Sequence, residues 1–165
     1  MLHGQSFEDV LKISEYYGKS FNDFENGLSI KSFDKSSKFG LESRIYNFKD
    51  CKILIESKNE ENSISKFSFL TEKGGQYEEL WYQIAKNANA NPEFKFIESF
   101  ISDKNSELYK KDLKFNELVS VLRALKSTDG LIYYIVFKNN NIYYQLNITN
   151  LTFYAVVNDQ YDKRN

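Results

Sequence analysis

Asp50, Glu56 and Lys58 are the residues of this 165-residue chain whose types and spacing come nearest to a reaction centre. They bracket the apolar run "KILI", with Glu56 and Lys58 at alternate positions of an expected strand. Two carboxylates can hold Mg²⁺ while a lysine positions the attacking water, the chemistry of metal-assisted hydrolysis.

The pattern resembles the Asp…Glu-x-Lys constellation of metal-dependent nucleases. Against it, Glu and Lys at alternate positions also describe the wet face of any half-buried strand. "PEFK" at Pro92–Lys95 supplies a second Glu-x-Lys, so the pattern is cheap. A carboxylate and metal enzyme of nuclease type is therefore the second reading of this chain.

Other chemistry is scarce. The single histidine, His3, stands beside the chain start, and the single cysteine, Cys51, opens an apolar strand face. Neither a Cys/His zinc pattern nor a glycine-rich phosphate loop occurs. No cofactor is expected. "NIT" at Asn147 and "NLT" at Asn150 match the glycosylation sequon but fall in an expected strand and turn.

Net charge is −1, and arginine is confined to Arg44, Arg123 and Arg164, so general nucleic-acid binding is not expected. One cysteine allows no internal disulfide, and "MLHGQSFEDV" lacks the basic start and apolar run of a signal peptide. A cytoplasmic location follows as the expectation. The Lys-, Asn- and Ile-rich, Pro-poor usage suggests a bacterial or phage source.

These residues need elements to hold them. "SFEDVLKISEYYGKSF" reads as a helix capped by Ser6, with Phe7, Val10, Leu11 and Tyr17 on one stripe and Gly18 as its stop. "NDFENGLSIKSFDKSS" reads as a connection with a turn at Asn26-Gly27. Strands are expected in "FGLESRIYNF", "CKILIES" and "SISKFSFL", forming a three-stranded meander. A helix follows, with Tyr77, Leu80, Trp81, Ile84, Ala85 and Ala88 on one face. "EFKFIESFIS" mixes strand and helix periods and is taken as a strand, with Phe94, Phe96 and Phe100 on one face. "DKNSELYKKD" reads as a charged connection, and "KFNELVSVLRALKSTDG" as a helix ending at Asp129-Gly130.

Leu131–Val157 reads as a second meander. Turns at Asn139-Asn140 and Thr149-Asn150 would set Phe137 opposite Ile142, Ile135 opposite Tyr144 and Leu146 opposite Phe153. The expected fold is α+β: antiparallel sheet, continuous or in two halves, built from two three-stranded meanders with helices packed on one face. It forms one domain over 1–165, with a helix-then-three-strands echo between 1–73 and 74–165.

The other face of the last meander carries Tyr134 and Val136, then Tyr143 and Gln145, then Tyr154, with Tyr82 of the Trp81 helix as an extension. Tyrosine offers a large rigid body with a polar tip and is enriched at interfaces. The first reading is a non-enzymatic protein-binding protein, an inhibitor acting by steric occlusion of a toxin or defence enzyme. A third reading is a homodimeric structural module using the same face.

Overall fold

The computed structural model describes residues 6–49, 51–58, 63–71, 77–103, 108–111, 113–124, 131–148 and 153–161. Helix α1 (Phe7–Ser14) begins where Ser6 accepts the Asp9 N–H at 3.2 Å and the Asp9 carboxylate accepts the Ser6 N–H at 3.0 Å. This reciprocal box satisfies two otherwise unpaired donors. Lys49 adds an ion pair to Asp9 at 2.9 Å. Burial alone would raise the Asp9 carboxyl, but the bonds from Lys49 and Ser6 outweigh it and hold the pKa below its ordinary value.

The segment read as a connection contains a second helix, α2 (Phe21–Leu28), capped by Ser20 and closed by Ser29 in the left-handed region at φ 54°. Gly27 lies inside it. A Cβ there would stand 1.9 Å from the Tyr16 hydroxyl oxygen, so the glycine makes room for the ring. Phe24 meets both Tyr16 and Tyr46 edge to face, at 5.5 and 5.0 Å. Tertiary contact thus overrides the turn signal of Asn26-Gly27.

Among the described residues nine strands form one antiparallel sheet: β1 (Asp34–Lys38), β2 (Leu41–Phe48), β3 (Cys51–Lys58), β4 (Ser63–Thr71), β5 (Lys95–Asp103), β6 (Leu108–Lys111), β7 (Leu131–Asn139), β8 (Ile142–Ile148) and β9 (Phe153–Asn158). Their order is β1-β2-β3-β4-β9-β8-β7-β5-β6. The run β1–β4, four strands rather than the expected three, meets the run β7–β9 at β4 and β9, where Phe67 pairs with Val157 and Phe69 with Ala155, so the sheet is continuous. The outermost strands, β1 and β6, lie in segments read as connections. "DKSSK" has no apolar alternation because every residue of β1 is exposed, and lysine on such an edge discourages pairing with other chains.

Helices α3 (Tyr77–Ala90) and α4 (Phe115–Ala124) complete the elements. One cluster joins Phe7, Val10 and Ile13 of α1, Phe21 and Phe24 of α2, Trp81, Ile84, Ala85 and Ala88 of α3, and Leu118 and Val119 of α4 to one set of alternating strand residues. That set includes Tyr46, Ile53, Phe67, Phe69, Tyr133, Ile135, Phe137, Tyr144 and Leu146. It defines the cluster face of the sheet. Among the described residues no helix is long and apolar enough to cross a membrane.

Two registers differ from expectation. The β7–β8 turn is Asn140-Asn141, with Asn140 at φ 55°, so Phe137 faces Tyr144 rather than Ile142. In the same way Ile148 faces Phe153. Both shifts are of two residues, which leaves every side chain on its expected face. The expected turn at Thr149-Asn150 lies outside the described residues, as does the expected helix stop at Asp129-Gly130.

Strand β5 resolves its own ambiguity. A bulge between Phe96 and Glu98 inserts Ile97, so Phe96 pairs with Phe137 while Phe100 pairs with Tyr134 on the other face. Phe96 and Phe100 do not share a face as the simple period required. One extra residue mixes the two periods.

The β1–β2 hairpin turns through Phe39 at φ 54° and Gly40 at φ 75°. Left-handed backbone costs a non-glycine residue roughly 1–2 kcal/mol.

Candidate protein-binding surface

The face opposite the cluster is built from the complementary alternation. Strand pairing lines up Ile45, Leu54, Ser68, Val156, Gln145, Val136 and Glu98 side by side across the sheet. Burial changes along this row. Ile45, Leu54, Ser68 and Val156 are half-buried, whereas Gln145 and Val136 are buried.

The tyrosine face therefore divides. Tyr134 is 1% exposed and stacks on Phe100, ring centroids 4.4 Å apart. The Gln145 side-chain amide donates to the Asn147 Oδ1 at 3.1 Å, and both residues are buried. Tyr143 is half-buried, with Tyr161 at 4.8 Å and the Lys138 ammonium at 5.1 Å from its ring. Tyr154 sits in β9 between Asn147 and Leu70, and its side chain lies outside the described residues. Expected as exposed contacts, Tyr134, Val136 and Gln145 are interior residues. Alternation tells which side a residue takes but not whether that side is covered.

Tyr82 goes elsewhere. Its ring stacks on Phe115 at 6.4 Å, and it packs against the cluster with α3. It does not extend the tyrosine face, because its helix neighbours Trp81 and Ala85 are buried in that cluster.

The uncovered apolar surface belongs to the other half. Leu70 is 42% and Leu41 46% exposed, and Ile45 and Leu54 lie half-buried on the same face. Phe33, 54% exposed, has its ring 6.0 Å from the Lys52 ammonium, and Lys52 pairs with Leu70 across β3 and β4. Exposed apolar residues scattered singly are ordinary, whereas a run rimmed by polar groups marks a contact site. The signal was present in the phase of "RIYNF" and "KILIES", opposite to Tyr46 and Ile53.

Behind this run, a charged network ties α2 to β2. Glu25 accepts from Arg44 at 2.9 Å and from the Tyr46 hydroxyl at 2.8 Å, and Arg44 also donates to Glu42 at 2.7 Å. The guanidinium lies 4.6 Å from the Phe21 ring centroid. Burial would raise the Glu25 carboxyl, but the Tyr46 and Arg44 bonds lower it below its usual value. Burial and the neighbouring Glu25 carboxylate push the Tyr46 phenol well up.

Of the hydrolytic trio, Glu56 and Lys58 take separate partners. Glu56 meets Lys66 at 3.7 Å, and Lys58 meets Asp159 at 2.9 Å. Asp50 itself lies outside the described residues, as does His3. Among the described residues no group of three His, Cys, Asp or Glu side chains could hold a metal ion. Cys51 is buried, and so is Asn147 of the first sequon.

Compared with known protein families and with curated proteins, this chain matches none. Among solved structures, it is similar to a cysteine-rich secretory protein from Staphylococcus aureus subsp. aureus Mu50, at 13% identity and a TM-score of 0.44. That likeness covers 88% of this chain and 44% of the other, so this chain spans less than half of that protein's length.

Proposed function

We propose that this chain is a non-enzymatic protein-binding protein that docks its partner on the opposite face of the β2–β3–β4 half. The observation that carries this reading is the exposure of Phe33 and Leu70 beside half-buried Ile45 and Leu54 on a sheet face. A sheet stiffened from behind by Tyr46, Ile53, Phe67 and Phe69 is pre-organised, so little ordering cost is left for binding. Lys52 and Lys66 give the patch a polar rim.

Inhibition is the consequence we propose. A rigid face laid over an enzyme's working surface excludes substrate without chemistry of its own. A toxin or a defence enzyme of the cytoplasm is the class of target. The test compares immobilised wild type with a Phe33→Ser, Leu70→Glu variant in extract of the source cells. A protein retained only by wild type is purified, its dissociation constant measured, and its own activity titrated with the chain. Equal affinity for both forms, or activity unchanged at saturation, sinks the reading.

A further inference from the structure

The β1–β2 hairpin ends in the left-handed pair that suits the twist of its strands, with Phe39 at φ 54° and Gly40 at φ 75°. Asn, Asp or Gly ordinarily takes the first place, as Asn140 does in the β7–β8 turn. The Phe39 ring is fully exposed, at 101%. Neither backbone preference nor packing within the chain accounts for phenylalanine at this position. Backbone strain and an exposed ring at one residue point to a role outside the chain.

Phe39 itself lines one side of an open hollow of about 220 Å³, with Leu41, Ser43, Lys38, Glu42 and Glu56 among the other walls. Arg44 occupies the Glu42 carboxylate. Glu56 is part-exposed, with Lys66 no nearer than 3.7 Å. Among the described residues Lys38 makes no ion pair.

We propose that this hairpin is the docking surface for a second copy of this chain. The contact is two-fold: each Phe39 ring enters the hollow beside the other copy's Leu41, and Lys38 of one copy faces Glu56 of the other. Two observations select a second copy as the occupant. Knob and hollow stand side by side where the hairpin meets β3, as an isologous contact requires. The hollow also carries both signs of charge, so the patch complements itself. A contact of hairpin size falls below the standard interface, so the dimer is weak. The inference does not depend on the open-face partner proposed above.

Sedimentation velocity of the full chain from micromolar to millimolar concentration tests it, with Phe39→Asn, Lys38→Glu and the Lys38→Glu, Glu56→Lys double variant alongside. Wild type should pass from monomer to dimer. Phe39→Asn should weaken dimerisation more than about tenfold while its melting temperature holds or rises, since asparagine accepts the left-handed turn. Lys38→Glu should weaken it, and the double variant should restore it. Wild type monomeric at millimolar concentration overturns the proposal. So does a dimer that Phe39→Asn leaves intact, or a Phe39→Asn variant that melts well below wild type.

Discussion

The ring of Tyr134 stacks on that of Phe100, centroids 4.4 Å apart, on the sheet face opposite the helix cluster. Both residues are buried. A tyrosine in this setting behaves as core, and its loss leaves a cavity. Tyr134→Ala should destabilise the fold by about 3–5 kcal/mol, read as a lower midpoint in urea. A midpoint within error of wild type would show that the ring stands free.

Leu70→Glu should behave in the opposite way. Leu70 is exposed and pairs with Lys52, so a carboxylate there gains an opposite charge across the strands. Stability should change by no more than about 0.5 kcal/mol, while partner binding falls. Thermal melting beside a binding titration separates the two effects.

Glu25→Ala removes the acceptor shared by Arg44 and Tyr46. Hydrogen bonds to charged groups carry more than neutral ones, and the donors left behind are partly buried. The expected loss is about 1–3 kcal/mol. Arg44→Lys should recover only part of the wild-type stability, because an ammonium cannot serve Glu25 and Glu42 as a fork while lying on Phe21. Denaturant titration of the two variants checks both statements.

Asp9 gives a pH signature. Its carboxyl is held below the ordinary value in the folded chain, so the folded state binds a proton less readily than the unfolded state. The stabilisation is complete above the unfolded carboxylate range and fades as pH falls through the folded pKa. Asp9→Ala, which also loses the capping box, should cost about 1 kcal/mol at neutral pH. The gap between variant and wild type should narrow in acid. A gap constant with pH would assign the loss to packing alone.

Gly27→Ala tests the Tyr16 contact by a change of sign. Alanine favours a helix by about 1 kcal/mol over glycine, but here a Cβ would meet the Tyr16 hydroxyl at 1.9 Å. The single variant should be destabilised by about 1–3 kcal/mol. In a Tyr16→Ala background the same substitution should be neutral or stabilising. A double-mutant cycle in urea measures the coupling.

Much of the sheet was legible because its strands alternate. Ile53, Phe67, Tyr144 and Leu146 take the faces their phase assigns, even where the turn at Asn140-Asn141 moved the register, whereas β2 turns Tyr46 inward and leaves Leu41 and Ile45, expected as its apolar face, on the opposite side. Strands β1 and β6 were illegible because an outer strand has little to bury, and "DKSSK" carries no periodic sign. Helix α2 was hidden by Asn26-Gly27, whose local preference yields to the Tyr16 ring. The candidate surface was half legible. Phase separated the tyrosines correctly into two faces, but cover is a tertiary fact, and residue type drew attention to Tyr134 when Leu54 and Leu70 are the more open.

The seam between β4 and β9 carries a consequence for how the chain is made. Phe67 and Phe69 lie in the first half of the sequence, yet their partners Val157 and Ala155 emerge from the ribosome only after β5 to β8. The middle of the sheet is thus the last part to close. Until it does, β4 presents unpaired backbone between two aromatic rings, the kind of edge that recruits neighbouring nascent chains. Slow translation over the second half would lengthen that exposure, so yield in the cell should depend on elongation rate and on chaperone supply more than on the stability of the finished sheet.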